Sequence, residues 1–296
     1  MLAKYNKSTR IIAHAFLILA SVCCLYPFLL LIMASVTEES VLVRNGYSLF
    51  PKELSLSAYR YLYAQSQTLL RAYGITLLVT AVGTSVGLAI TSMLSYALSQ
   101  SQLPGKKLMS FLVVFTMLFN GGLVATYMWY VNFLNFKNTL YALIFPSLLT
   151  NGFLVMIATN YFRTNVPEAV VEAGRIDGAG EFRIFFTIVL PFSRPILAAI
   201  GLMQGIAYWN DWRNGLYYIT KSSLYSMQNL LNRMLTEIAF LSTSDLGGHS
   251  AEAVANLPTA SVRMAIAVVA AIPILLIYPF FQKHFAKGLT IGAVKG

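Results

Sequence analysis

Apolar residues in this chain come in long unbroken runs, not in the one-sided pattern of a soluble core. Six segments stand out, roughly 11–36, 73–99, 108–131, 139–162, 195–218 and 262–282. Each reaches the roughly 20 apolar residues that a helix needs to cross a bilayer. None has a charged side chain at its middle, as the cost of charge in hydrocarbon demands. The fifth is the least clean, because Asp211 and Arg213 sit near its outer end. The pattern predicts an all-α integral membrane protein, one transmembrane domain of six helices over residues 1–296.

Composition agrees, with 57% hydrophobic residues and 11% charged ones, against about 25% charged in a soluble domain. So much apolar surface exceeds what one soluble core of this length can bury, and lipid takes the remainder. The first run follows Lys4, Lys7 and Arg10 but is much longer than the ~7–15 residues of a signal-peptide core, so it reads as an uncleaved first helix. Cys23 and Cys24 are adjacent inside that run and have neither metal-site nor disulfide-framework spacing.

The chain is basic, with 21 Lys+Arg against 11 Asp+Glu, but the charge is scattered between apolar runs and not gathered into a nucleic-acid-binding stripe. Its distribution sets topology. With the N-terminus inside, twelve Lys/Arg fall on inner segments and nine on outer ones. Short connections count most in this rule, and there Lys106 and Lys107 inside oppose Lys137 alone outside. Both termini are therefore expected in the cytoplasm.

Three connections are long: 37–72 and 219–261 outside, and 163–194 inside. In 219–261, Leu224, Met227, Leu231, Met234, Leu235 and Ile238 recur near helical spacing before the loop-like Ser242–Gly248. That stretch is either a helix lying on the outer surface or a docking element.

The inner connection is the most charge-dense part of the chain, with Glu168, Glu172, Arg175, Asp177, Glu181 and Arg183 close together. Asn165 before Pro167 marks a helix start, and Glu168 falls near its positive end. Gly174 is expected to stop this helix and Asp177 to cap a second. The second presents Phe182, Phe185, Phe186 and Val189, with Ile188 beside them, as an apolar face towards the spans. Pro191 and Pro195 then break the path. The result is two short helices beneath the membrane with a charged corner facing the cytoplasm.

Here the chain resembles a known family. Glu172-Ala173-Gly174, then Gly178, then Ile188-Val189-Leu190-Pro191 is similar to the EAA coupling loop of bacterial ABC-importer permeases, with Gly174 where that pattern has its second Ala. Ser95-Tyr96-Ala97, Asn138-Thr139, Asp177-Gly178-Ala179, Pro195, Trp209-Asn210-Asp211 and the tail Gly288–Gly296 resemble the carbohydrate-uptake, maltose-permease-like branch. Tyr208–Trp212 with Leu216–Ile219 is closer still to permeases of complex or acidic polysaccharide importers.

The resemblance implies the type I ABC-importer permease fold in a bacterial inner (cytoplasmic) membrane. Glu168, Glu172, Ala173, Gly174, Arg175, Asp177, Gly178, Leu190 and Pro191 would then form the coupling loop, Glu172 being the acidic contact to an ATPase and Gly178 permitting the turn. Implied partners are a second, homologous permease, a dimer of ATP-binding subunits, an extracytoplasmic substrate-binding protein docking on 219–261, and a saccharide cargo. The chain has no Gly-x-x-x-x-Gly-Lys-Ser/Thr phosphate loop. No cofactor or metal is expected on it, ATP and Mg²⁺ being used by the partner.

A translocation path should show polar or aromatic residues within apolar spans. Candidates are Tyr127, Asn151, Gln204, Tyr208, Trp209, Asn210 and Asp211. Trp129, Trp212 and Tyr217 suit the interfacial aromatic belt better, and an Asn as deep as Asn151 can equally bond a neighbouring helix. An ion-gradient transporter would want an ionisable group at a midplane and a membrane enzyme paired catalytic groups; the spans supply neither.

Overall fold

The computed structural model describes residues 7–243, 260–273 and 275–276. Among these the secondary structure is helical, with one isolated bridge between Thr37 and Leu54. Two compact units are distinguished, Met1–Leu69 with Arg233–Pro273, and Leu70–Asn232 with Ile274–Gly296.

In the first unit, α1 (Lys7–Ser35) is a long apolar rod whose Ile11, Phe16, Leu17, Val22 and Leu25 all face outward, as a helix solvated by lipid would. The chain then turns back through the Thr37 bridge. The short helices α2 (Glu39–Asn45) and α3 (Ser57–Ala64) follow, with the Tyr59 hydroxyl 2.8 Å from the Ser35 hydroxyl. Glu39 accepts from the backbone N–H of Ala260 (2.8 Å) and Ser261 (2.9 Å) and from the Ser261 hydroxyl. A carboxylate thus satisfies the orphan donors that open the last described helix, Ala260–Pro273.

The helix α4 (Ser66–Ser99) is the long rod of the second unit. Three of the expected spans are not single helices. The third is α5 (Lys106–Leu118) followed by α6 (Gly122–Met128), which winds on as a π-helix to Phe133. The two limbs are bent by 115°. Gly122 has φ +81° and donates to the Asn120 side chain, so the break is a side-chain-stabilised turn that glycine permits.

The fourth expected span is a four-residue helix, α7 (Tyr141–Ile144), a break over 145–151, and α8 (Gly152–Asn165). Pro146 and Ser147, at φ +62°, cannot continue a helix. Asn151 restarts it by accepting from Phe153 and Leu154 N–H.

After α8 come α9 (Glu168–Ile176), then α10 (Glu181–Ile184), a π-turn over Phe185–Val189 and α11 (Leu190–Phe192). The path bends by 85° into α12 (Arg194–Trp209), with α13 (Arg213–Tyr218) beyond a break at residues 210–212. By length and apolarity, α1 and α4 qualify alone as spans and the two bent pairs bring the number to four. The amphipathic stretch expected in 219–261 is helical, α14 (Met227–Thr243), with Met227, Leu231 and Met234 buried. Ser242 and Thr243 still belong to it and not to a loop. Residues 244–248, 277–282 and the tail Gly288–Gly296 lie outside the described set.

Two small-residue faces bring α4 and α12 together. A Cβ on Gly83 would run into the Tyr208 ring and one on Gly87 into the Gln204 amide, while one on Gly201 or Gly205 would lie 3.5 Å from Leu88 or Thr84. These are two Gly-x-x-x-Gly pairs facing each other, a close-approach device of helices in lipid.

Candidate functional site

The 163–194 connection is built as two elements clamped onto the C-terminal ends of α4 and α8. Pro167 occupies the N-cap of α9 and Glu168 its first turn, where its charge favours the helix dipole. Asn165, expected to open this helix, instead closes α8, its amide donating to the Tyr161 carbonyl at 3.2 Å.

Gly174 does not stop α9, which runs on to Ile176. Gly178 does, at φ +77°, with Gly178 N–H donating to the Arg175 carbonyl and Ala179 N–H to the Gly174 carbonyl. A left-handed glycine just past a helix end frees those carbonyls to be satisfied in this way. Asp177 is therefore the C-cap of α9, and Gly180 stands at the N-cap of α10. Gly174 has another use: a Cβ there would lie 3.1 Å from Ile188 Cδ1, so its bareness seats α9 on the following segment.

The buried face of that segment is Ile184, Phe185 and Val189, packed with Tyr96, Leu154, Phe162, Val171 and Ile200. Phe182 and Phe186, expected on the same face, are 71% and 56% exposed. The π-turn over Phe185–Val189 adds a residue to one turn and rotates the aromatic pattern.

Polar bonds complete the clamp. Arg175 donates to Glu181 at 2.8 Å and to the Gln100 side chain at 2.8 Å; the Tyr96 hydroxyl donates to the other Glu181 oxygen at 2.6 Å. The Arg175 hydrogen bond, with the Tyr96 one behind it, holds the Glu181 carboxyl below its ordinary value, and the same bond raises the Arg175 guanidinium. Arg163 donates to the Leu98 carbonyl at 3.0 Å, and Ser95, next to Tyr96, donates to the Val155 carbonyl on α8 at 3.0 Å. Sequence reasoning gave Arg175 a site role but gave none to its partners Tyr96, Gln100 and Glu181, although the run Ser95-Tyr96-Ala97 at the end of α4 was the signal for one of them.

The opposite face of the loop is open. Glu168, Glu172, Ala173 and Asp177 are exposed, as is Ile176 at 86%. The Glu172 carboxylate has no hydrogen bond or ion pair among the described residues. Leu190 is half-buried and Pro191, at the start of α11, is exposed.

The path candidates divide. The Gln204 amide donates to the Leu148 and Leu149 carbonyls at 3.3 and 3.0 Å. The Tyr208 hydroxyl donates to the Ile144 carbonyl at 2.8 Å, and Asn214 to the Pro146 carbonyl at 2.9 Å. These three side chains staple the broken 145–151 segment, whose carbonyls have lost their helical partners. Asn151 is spent as an N-cap.

Trp209 is buried, 6.4 Å from the Tyr73 ring. Asn210 and Asp211 form the α12–α13 corner, Asp211 accepting from Arg213 and Asn214 N–H. Tyr127 is half-buried and stacked on Tyr218 at 5.6 Å. The structure thus brings the expected coupling residues together over α9 to α11 but spreads the path candidates over breaks, corners and a ring cluster.

Comparison with known proteins gives a family and several relatives. Residues 1–291 match the family described as "Binding-protein-dependent transport system inner membrane component". A Bacillus subtilis (strain 168) protein named "Polygalacturonan/rhamnogalacturonan transport system permease protein YtcP" is 36% identical over 293 residues, covering 98% of this chain and 99% of that one. "Protein LplC" of the same organism is 38% identical over 272 residues, covering 91% and 89%. Among solved structures, a chain of "a bacterial ABC transporter involved in the import of the acidic polysaccharide alginate" superposes with a TM-score of 0.79 at 24% identity, covering 95% and 99%; at that identity the likeness speaks for the fold.

Proposed function

The chain belongs to the family of binding-protein-dependent transport system inner membrane components, and on that premise we propose that it is the carbohydrate-conducting permease subunit of an ABC importer, taking an oligosaccharide or acidic polysaccharide. A member of this family is a membrane transport component with the type I ABC-importer permease fold, not an enzyme. The finer reading adds six membrane crossings, some made of broken helices, with both termini in the cytoplasm. It also adds a homologous second permease, an ATPase dimer that uses ATP and Mg²⁺, and an extracytoplasmic binding protein docking on 219–261.

The observation that carries the mechanism is the two-sidedness of the loop. One face is held to α4 through Tyr96, Gln100, Arg175 and Glu181 and packed on α8 through Leu154 and Phe162; the other presents Glu168, Glu172 and Ile176 unengaged. A partner that moves the open face must move the helices under the clamp. The substrate class rests on the polygalacturonan/rhamnogalacturonan permease and on Tyr127, whose ring stacked on Tyr218 suits a sugar face. We assign Tyr127 and the exposed Asn210 to cargo contact, with Trp209 and Asp211 behind them, and Asn151, Gln204 and Tyr208 to shaping the path.

Glu172→Lys tests the coupling. It removes no bond among the described residues, so insertion and purification of the complex should be unchanged, while substrate-stimulated ATP hydrolysis in proteoliposomes falls to the basal rate. Full stimulated hydrolysis by the variant would overturn the assignment. Gly180→Cys, at an exposed site, should be labelled by an impermeant maleimide from the cytoplasmic side; labelling from outside inverts the topology.

A further inference from the structure

At the turn between α4 and α5, a pocket of about 390 Å³ opens between the end of α4, the start of α5, the end of α8 and the first turns of α9. Lys106, Arg163 and Arg175 line it, with Ser101, with Ser99, whose hydroxyl donates to the Tyr96 carbonyl, and with one acid, Glu168. Arg175 is already neutralised by Glu181.

Lys106 and Arg163 have no acidic partner among the described residues. Each spends one donor on a backbone carbonyl, Lys106 on Gln100 at 2.6 Å and Arg163 on Leu98 at 3.0 Å. Capping the C-terminus of α4 is thus part of their work. It leaves most of the three donors of a lysine and five of an arginine free to face the cavity. Desolvation, and the like charge of Arg163, lower the Lys106 ammonium; an anion between them would relieve both.

Beyond Tyr96, Gln100 and Arg175, which belong to both, lies a second cavity of about 550 Å³, lined on its apolar side by Met93, Ala97, Leu103, Phe182 and Phe185. A cationic pocket backed by an apolar trough, where helices end at the membrane surface, fits a charged head and a hydrocarbon tail.

We propose that Lys106 and Arg163, with Ser101, form a binding site for a phosphate-bearing anion, filled by the headgroup of an anionic phospholipid or by free phosphate. Bound there, the anion ties the α4–α5 turn to α8 and α9 and so stiffens the base on which the coupling loop is clamped.

The test uses the full chain purified with the subunits it assembles with, delipidated and titrated with phosphatidylglycerol or phosphatidylcholine, occupancy being read by native mass spectrometry. Phosphatidylglycerol should bind the wild type more tightly than phosphatidylcholine. Lys106→Gln and Arg163→Gln should each weaken phosphatidylglycerol binding about five-fold and leave phosphatidylcholine unchanged. Lys107→Gln, one residue away, exposed and outside the pocket, should have no effect.

Inorganic phosphate separates the sources. If millimolar phosphate displaces phosphatidylglycerol, the head alone is recognised; if it does not, the trough holds the acyl chain and lipid is the occupant. Equal phosphatidylglycerol binding by wild type and Lys106→Gln/Arg163→Gln would overturn the proposal. So would an equal loss in Lys107→Gln, which would reduce the effect to surface charge. The readout needs no transport, so it stands apart from the function proposed above.

Discussion

Replacing Gly87 by alanine should damage this protein far more than the same change thirteen positions earlier on the same helix. A Cβ at Gly87 meets the Gln204 amide and comes within 2.5 Å of the Leu149 carbonyl oxygen, where ordinary contact starts at 3.4 Å. The backbone oxygen belongs to the stapled 145–151 break and cannot swing aside. Either α4 and α12 separate by nearly an ångström, or Gln204 turns out and abandons its bonds to Leu148 and Leu149.

Overpacking costs about 1–3 kcal/mol, and each hydrogen bond between helices in lipid about 0.6 kcal/mol, up to about 1.7. Helix propensity returns about 0.5–1 kcal/mol for replacing glycine, leaving a net loss of about 2–4 kcal/mol. For a chain of this size that is roughly 5–15 °C in Tm. Gly74 has no atom within 4 Å of the same hypothetical Cβ, so Gly74→Ala should hold or slightly raise Tm. The assay is thermal unfolding of the purified complex in one detergent. Gly87→Ala/Gln204→Ala should recover part of the loss, since the side-chain clash goes but the carbonyl stays. Matching Tm values for Gly87→Ala and Gly74→Ala would refute the packing argument.

Other expectations are sharper in sign than in size. Tyr208→Phe removes the bond to the Ile144 carbonyl and should cost about 0.6–1.7 kcal/mol, read as a lower Tm with transport retained. Gly178→Ala forces a Cβ into a left-handed backbone and should cost about 1–2 kcal/mol, whereas Gly180→Ala, at φ −68° with no atom within 4 Å, should be silent; equal Tm values would dismiss the cap. Glu181 is held below its ordinary value near 4.5, so the clamp's contribution is present above that pH and fades as pH falls through the lowered value. Glu181→Gln should therefore lower Tm at pH 7 and lose that difference as acidification passes through the lowered value; a difference constant with pH would show that the charge is irrelevant.

Much of the architecture was legible because lipid imposes a long-range signal: runs of about 20 apolar residues survive any error in local detail. The breaks were not, because a hydropathy window averages over them. Asn120–Gly122 and Pro146–Asn151 hardly lower the mean, yet each carries helix-ending chemistry. The facing pairs Gly83/Gly87 and Gly201/Gly205 were visible in the sequence, but which helix they faced was a matter of tertiary packing. In the loop, two glycines competed to end α9. Gly178 won through backbone φ, and Gly174 turned out to serve Ile188, a contact with no local signature. The exposure of Phe182 and Phe186 followed from a π-turn that periodicity at 3.6 residues does not anticipate. Gln204 and Tyr208 were conspicuous as polar groups in an apolar run, but only the neighbouring break showed what they satisfy.

Ser95 and Tyr96 are consecutive, yet one bonds α8 and the other the coupling loop, so both grip α4 near one end. From Tyr96 back to Leu70 the helix is unbroken, a rod of about 39 Å at 1.5 Å per residue. Gripped at its foot, such a rod works as a lever. A tilt of about 5° there, smaller than ordinary helix-packing scatter, carries the far tip sideways by about 3 Å, roughly the width of a water molecule. Small strokes at the base would thus be geared up at the far end.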